Sequence, residues 1–361
     1  MLGCNTLISW RARLDPKSSH SNGDSIPKIT WWRALSWLPG AIILVGMIIF
    51  ILGHEAEGEK LLHLFVKAHL AWLLLALVLQ VGTYFCAALT WQRVLAKTGT
   101  SPPLLYLALL ALKKVFIDQF LPSAGVGSTI VILRSLEGHD VPPRNRAATM
   151  MLYFFGYYVA YVFAGALSLG LFLMYRKLSK IILSIAALFF LMGLGAAASI
   201  FLLTRTRHWE PPPWITRFAW TRKLIKAVAQ VPPHLMKDPW LLFQVIGLQF
   251  FIFVLDGATL YTILIALGHP LGAIKSFISF MFASMTGTVS PIPGGLGTFE
   301  AGLAGTLALF KIRLKAALAA TLMLRSFTLW LPLIPGFIVS RKDLFHRKKK
   351  DEIPQEVATE N

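Results

Sequence analysis

The sequence predicts an all-α polytopic membrane protein with about six full transmembrane helices and two helical hairpins broken by glycine and proline. Composition predicts the class, since 56% of the 361 residues are hydrophobic and 14% are charged, with a mean hydropathy of +0.63. Several windows hold about 20 apolar residues, the length that a helix needs to cross a bilayer. Two apolar regions contain clusters of glycine and proline, which interrupt any continuous helix.

Charge and cysteine content exclude several other classes. The formal net charge is +18, but the basic residues gather in a few loops and tails, as the positive-inside rule describes for membrane proteins. No nucleic-acid module is visible, so we expect no nucleic-acid partner. Cys4 and Cys86 have no metal or redox spacing, and the histidines are scattered. We therefore expect neither a metal nor a cofactor.

The chain divides into a transmembrane domain between two tails. Residues 1–33 predict a basic cytoplasmic tail, residues 34–342 the transmembrane domain, and residues 343–361 a second cytoplasmic tail that is basic and then polar. The first apolar run is too long for a signal-peptide core and lacks an Ala-x-Ala site, so it reads as an uncleaved span. Full spans are predicted at about 34–53, 69–91, 148–174, 181–203, 241–267 and 316–340.

The basic loop 204–240 interleaves Trp209, Trp214 and Trp220 with lysine and arginine. This combination is typical of an interfacial helix on an anionic cytoplasmic leaflet. An ordinary positive-inside loop with interface tryptophans is the alternative.

The first break separates apolar pieces at about 104–121 and up to 133. Its flanks are both basic, which predicts a re-entrant hairpin that dips in from the cytoplasmic face. The candidate binding residues at this break are Gly125, Gly127 and Ser128.

The second break separates apolar pieces at about 274–289 and 298–310, each short for a full crossing. Its candidate binding residues are Pro293, Gly294, Gly295, Gly297 and Thr298.

The two breaks are related to each other. Residues 125–128 (Gly-Val-Gly-Ser) align with 295–298 (Gly-Leu-Gly-Thr), about half the chain apart. The predicted spans make the two hairpins enter the membrane from opposite faces, so the alignment predicts an inverted repeat. A pair of interrupted helices in matching positions of two halves also indicates a transporter binding site. Helix N-termini after glycine turns suit phosphate, while the missing Gly-Lys-Ser/Thr ending excludes a nucleotide P-loop.

Two charged residues at bilayer depth are the main candidates. Glu300 follows the second glycine turn, and Arg325 lies in the last span about ten residues from its nearer end. A charge in a span needs a partner, so we expect a Glu300–Arg325 pair. The alternatives are a first-turn acid stabilised by the helix dipole, a purely structural pair, or an Arg325 that binds lipid phosphate.

Secondary candidates lie in other segments. Asp256, mid-span, suits either a proton or ion relay or a single hydrogen-bonded carboxyl. Lys114 and Asp118 are four residues apart and can pair on one helix face. Lys113 is left over for an anionic headgroup, and Arg134 follows the first break.

The run from Pro291 to Glu300, followed by Arg325 and by Pro335-Gly336, resembles the lysylphosphatidylglycerol synthase transmembrane-region family of flippase-like proteins. The segment 120–125 (Phe-Leu-Pro-Ser-Ala-Gly), with Arg134 and Gly138 after it, is similar to that family's first motif. Many members carry an acidic residue and an arginine soon after the first glycine turn, where this chain has Ser128 and Val131.

The resemblance implies a multi-pass protein of the bacterial inner membrane, and the basic tails predict that both termini are cytoplasmic. We expect a lipid flippase or transporter of a lipid intermediate, whose partner is a membrane phospholipid or lipid-linked intermediate. The alternative is a non-transporting accessory protein for a lipid-modifying or glycosyltransfer enzyme. An intramembrane enzyme is weaker, since no nucleophile or metal set is visible. Synthase relatives continue into a soluble aminoacyl-transfer domain, whereas this chain stops at Asn361, so we do not expect an enzyme.

Overall fold

In a computed structural model, the described residues are 69–120, 125–139, 141–177, 179–205, 233–333 and 335–339, and their regular structure is entirely helical. This confirms the predicted fold class. The predicted span at 34–53, both tails, residues 121–124 of the first break and residues 206–232 of the basic loop lie outside the described residues. The α-helices are α1 Leu70–Lys97, α2 Leu104–Phe120, α3 Val126–Glu137, α4 Pro143–Leu173, α5 Lys180–Arg205, α6 Pro233–Lys237, α7 Pro239–Ala266, α8 Ala273–Val289, α9 Thr298–Leu309 and α10 Leu314–Arg325.

Five described helical segments are long and apolar enough to cross a bilayer. They are Leu70–Lys97, Pro143–Leu173, Lys180–Leu202, Pro239–Ala266 and Leu314–Val339. Each coincides with a predicted span, and two of them extend several residues beyond the predicted bounds. Helix α1 continues past the predicted 91 to Lys97. Helix α4 begins before the predicted 148 because Pro143 occupies its first turn, where proline costs no hydrogen bond.

Helix α7 is the centre of the bundle and packs on α1, α4, α8 and α10. It runs antiparallel to α1. At one end, Nζ of Lys97 lies 2.8 Å from Oδ2 of Asp238. At the opposite end, the amide of His69 donates to the carbonyl of Ala266 at 3.2 Å. We call these the Lys97 end and the Ala266 end.

Helices α2 and α3 form the first hairpin. They are antiparallel, since the hydroxyl of Tyr106 donates to the Ser135 carbonyl at 2.9 Å. The open end of this hairpin lies at the Lys97 end, because Arg146 at the start of α4 binds Glu137 at 2.9 Å and Asn145 donates to the Thr98 carbonyl at 3.3 Å.

Helices α8 and α9 form the second hairpin. They are also antiparallel, since Gly295 approaches Gly287 near the break while Nζ of Lys275 lies 5.9 Å from the Phe310 ring centre at the open end. Arg176, just beyond α4, donates to the Leu309 carbonyl at 2.7 Å. Because α4 starts at the Lys97 end, this contact places the open end at the Ala266 end. The two hairpins therefore open towards opposite ends of the bundle.

Candidate functional site

Glu300 lies in the first turn of α9 and connects the broken turn to α10. Its Oε2 accepts a hydrogen bond from the Gly297 amide at 2.6 Å, which satisfies an amide that the helix N-terminus leaves without an intrahelical partner. Its Oε1 accepts from Nε of Arg325 at 2.5 Å. The structure thus contains the predicted pair, and the same carboxylate also serves as the first-turn acid that the sequence offered as an alternative.

Arg325 is held at the end of α10 with 9% of its surface exposed. Its guanidinium lies over the Phe299 ring, with 4.0 Å from Cζ to the ring centre, a cation–π arrangement. Nη2 is buried and has no hydrogen-bond partner among the described residues. A buried donor without an acceptor is unfavourable, so this N–H is available to an anionic group.

A π-helical turn, Ser326–Trp330, follows Arg325 directly. The Ser326 hydroxyl donates to the Leu322 carbonyl at 2.9 Å, and the Thr328 hydroxyl to the Leu324 carbonyl at 3.0 Å. Such turns are rare and are frequently found at functional sites. Thr328 from this turn lies on the wall of the cavity described next. The turn was not predicted from the sequence.

A cavity of about 390 Å³ lies between the two hairpins, where α1, α2, α4 and α7 to α10 all contribute to its wall. Its size is within the range of roughly 300–1,000 Å³ that is usual for small-molecule sites. The predicted candidates on the wall are Lys114, Asp256 and Arg325. Residues from both hairpins and from the central helices are thereby brought to one cavity.

The first hairpin carries four charged candidates, one of which lies on the cavity wall while the others contact the hairpin or solvent. Nζ of Lys114 bonds Oδ2 of Asp118 at 2.7 Å, as the four-residue spacing predicts. Lys113 is buried and donates to the Ser135 hydroxyl at 3.3 Å. Arg134 is exposed on α3 and does not line the cavity. Of these four, only Lys114 reaches the cavity wall.

The residues of the first glycine turn lie at the start of α3. Gly125 precedes that helix with a φ of +82°, a conformation that glycine adopts without strain. Gly127 lies in the first turn of α3. The buried hydroxyl of Ser128 donates to the Gly125 carbonyl at 3.0 Å. None of the three lines the cavity.

The second glycine turn has a similar position relative to the cavity. Residues 293–295, which are Pro293, Gly294 and Gly295, form one 3₁₀ turn, and Gly297 precedes α9. The Thr298 hydroxyl donates to the Gly295 carbonyl at 2.9 Å. The glycines and Thr298 do not line the cavity, whereas Phe299 does. The turn therefore sets the position of Phe299 and Glu300, and through them of Arg325.

Several cavity residues on full spans were not predicted from the sequence. Gln80 and Tyr84 come from α1, and Tyr153 and Tyr157 from α4. In each pair the residues are four apart, which places them on one helix face. That spacing of polar and aromatic residues within apolar spans was the available signal.

Comparison with known proteins gave one family. A family model described as "Lysylphosphatidylglycerol synthase TM region" matches residues 37–336. No match was found among curated proteins. The matched region includes both hairpins, the Glu300–Arg325 pair and the whole cavity wall.

Proposed function

The chain belongs to the lysylphosphatidylglycerol synthase transmembrane-region family, and from this premise we propose that it moves a lipid between the leaflets of the membrane it spans. The observation that carries the proposal is the position of Arg325. Its buried guanidinium has an N–H without a partner among the described residues and lines a cavity of about 390 Å³ between the two hairpins. An anionic headgroup supplies the missing acceptor, because phosphate matches guanidinium in charge and geometry.

The cavity also lowers the energetic cost of moving a polar headgroup across the hydrocarbon core. A charged headgroup pays a large desolvation penalty in hydrocarbon, whereas the acyl chains can remain in lipid throughout. Polar side chains from Gln80, Lys114 and Arg325 replace part of the lost water. Hairpins that open towards opposite ends are suited to alternating access, in which one side of a central site opens while the other is closed.

The transported molecule in this proposal is a phospholipid or lipid-linked intermediate with an anionic headgroup, moved without chemical change. The protein then acts as a transporter and not as an enzyme. We place it in the bacterial inner membrane with both termini in the cytoplasm, where its basic segments face an anionic leaflet.

The test is a lipid-exchange assay in proteoliposomes that contain fluorescent phosphatidylglycerol. A membrane-impermeant reductant quenches the outer-leaflet label, so empty vesicles lose about half of it on geometric grounds. We expect the protein to expose the inner-leaflet label as well. Arg325→Gln removes the donor for the headgroup and is expected to reduce exchange strongly.

The matched control is Arg144→Gln, which removes an exposed arginine at the start of α4, away from the cavity. It is expected to exchange lipid like the wild type. Wild-type protein that is folded but leaves half of the label protected, with phosphatidylglycerol and with lipid-linked or aminoacylated probes, would contradict the proposal. An accessory role beside a lipid-modifying enzyme would then be the function to pursue.

A further inference from the structure

Asp256 on α7 is a carboxyl on the cavity wall, and nothing in the proposed headgroup site uses it. We propose that Asp256 is a proton-binding site, and that one proton crosses the membrane in the same direction as each anionic headgroup. The inference rests on the proposed function, since it names the ion that accompanies the lipid through the same cavity.

The first argument is the charge balance of the cavity. Glu300 is paired with Arg325 at 2.5 Å, and Asp118 with Lys114 at 2.7 Å. Asp256 makes no ion pair within the described part of the chain. An ionised Asp256 is therefore the uncompensated charge of the chamber, in the middle of a span where such a charge is costly. Addition of a proton to one carboxylate oxygen removes that charge without any other change in bonding.

The second argument is the pair of polar side chains beside Asp256. Gln80 on α1 lies with Asp256 on the cavity wall, and its Nε2 donates to the Thr83 hydroxyl at 3.4 Å. Gln80 is 5% exposed, and its Oε1 has no partner in the described structure. The amide has both donors and an acceptor, so it can donate to the ionised carboxylate and accept from the protonated acid. The buried Tyr84 hydroxyl, which lies on the same cavity wall, can likewise donate or accept.

The charged and titratable groups that share the cavity with Asp256 come from several helices. Helix α1 contributes Tyr84, and α4 contributes Tyr153 and Tyr157. Helix α2 contributes Lys114, which is paired with Asp118, and α10 contributes Arg325, which is paired with Glu300. The residue that α8 presents there is Phe280. Lys114 and Arg325 are each paired with another carboxylate, so neither is needed to neutralise Asp256. The neutral polar neighbours can then hydrogen-bond either the ionised or the protonated form of Asp256.

Coupling follows from electrostatics in a shared chamber. An anionic headgroup at Arg325 is repelled by an ionised Asp256 and not by a protonated one. The headgroup therefore favours proton binding, and by linkage the proton strengthens headgroup binding by the same factor. For one linked proton, the apparent headgroup affinity falls by about tenfold per pH unit once Asp256 is ionised in the free protein.

Proton binding is tested directly by infrared difference spectroscopy during a pH titration of the reconstituted protein. The wild type is expected to develop the C=O band of a protonated carboxylic acid as the pH falls. Asp256→Asn, which is nearly isosteric, is expected to lack that band. Glu137→Gln, which removes an exposed carboxyl at the Lys97 end, serves as the control and should retain it. An identical band in Asp256→Asn overturns the proposal.

Coupling is tested with fluorescent phosphatidylglycerol in phosphatidylcholine vesicles that carry a pH gradient. The label is expected to accumulate in the leaflet that faces the alkaline side, and to reverse when the gradient is reversed. Asp256→Asn is expected to exchange lipid without regard to the gradient. Wild-type exchange that ignores the gradient overturns the coupling and leaves the proposed function intact. A folded wild type that exchanges no lipid under any gradient overturns both.

Discussion

At the residue scale, the Glu300–Arg325 pair joins α9 to α10 by a charge-assisted hydrogen bond in a largely buried setting. Arg325→Gln leaves a partly buried carboxylate without its cation. Loss of one partner of a buried pair costs on the order of 3–5 kcal/mol. We expect a clear decrease in thermal stability, measured by unfolding in detergent.

A double-mutant cycle separates this pairing from simple loss of either side chain. Glu300→Gln combined with Arg325→Gln removes both charges, and its destabilisation is expected to be smaller than the sum of the two single changes. Additive effects would show that the two side chains do not interact. The same variants in the exchange assay separate stability from transport, since a stable double variant without exchange shows that the Glu300–Arg325 pair is needed for more than folding.

The residues of the site differ in how visible they are in sequence. Glu300 and Arg325 could be predicted as partners because a charge in an apolar run is rare and needs compensation. Gln80, Tyr84 and Tyr157 could not be singled out in the same way. A tyrosine or glutamine in a span is compatible with many environments, and the cavity exists only after several helices have packed around it.

At the element scale, the second hairpin depends on close packing of α8 and α9. A Cβ at Gly302 would lie 3.2 Å from Cα of Ala283 and would overlap Thr286. Gly302→Ala therefore pushes the two helices apart, at a cost of about 1–3 kcal/mol for an overpacked site. Gly305 lies one turn further along α9, and a Cβ added there would meet nothing within 4 Å.

Gly305→Ala is thus the matched control for this helix. It is expected to be neutral or to stabilise by about 0.5–1 kcal/mol, since alanine loses less conformational entropy than glycine in a helix. Thermal unfolding of both variants tests the difference. Equal effects at the two positions would argue against close packing of the hairpin at Gly302.

A second element-scale prediction concerns the start of α7. Asp238 caps this helix, accepting from the amides of Trp240 and Leu241 at 3.1 and 3.0 Å. The hydrogen bond from Lys97, followed by that from the Leu241 amide, lowers the pKa of Asp238 below its ordinary value of 3.8. The pKa of Asp238 is therefore lower in the folded protein than in the unfolded chain. Above pH 3.8 the ionised carboxylate contributes its full stabilisation, and this contribution is lost as the pH falls from 3.8 towards the folded-state pKa.

We therefore expect Asp238→Ala to lower the melting temperature slightly at neutral pH and to have less effect in acid. Asp238→Asn retains a capping side chain without the charge, and is expected to lose less than the alanine variant. Melting curves across the pH range provide the measurement. A gap between wild type and Asp238→Ala that widens as the pH falls would contradict the assignment.

Helix boundaries could be predicted from the sequence where the residue types at the boundary determine the backbone conformation. Proline and glycine predicted where α8 ends and where α3 and α9 begin, since these residues interrupt a helix in any context. That the two hairpins are re-entrant stays a prediction. The short helix α6, Pro233–Lys237, was missed because its sequence lies in a basic, proline-rich loop. Helix α3 extends to Glu137, past the predicted 133, because Arg134 is compatible with the last turn of a helix and Gly138 ends it.

At the scale of the whole molecule, charge alone does not orient the bundle. Arg144 and Arg146 lie at the Lys97 end, while Arg176 and Lys311 lie at the Ala266 end. The positive-inside rule therefore gives a weak signal for the second hairpin. The packing of the helices gives a stronger one, because contacts at both ends place the open ends of the hairpins on opposite sides of the bundle.

Opposite openings lead to a direct test of topology in the membrane. Glu137 and Lys311 are exposed near the open ends of the first and second hairpins, respectively. In a background without the native cysteines, Glu137→Cys and Lys311→Cys are each treated with a membrane-impermeant maleimide in oriented vesicles. If both hairpins are re-entrant, Glu137→Cys reacts from the same side as Arg144→Cys, and Lys311→Cys from the same side as Lys177→Cys. Reaction of Glu137→Cys and Lys311→Cys from one common side would exclude opposite entry, and with it the inverted architecture on which alternating access depends.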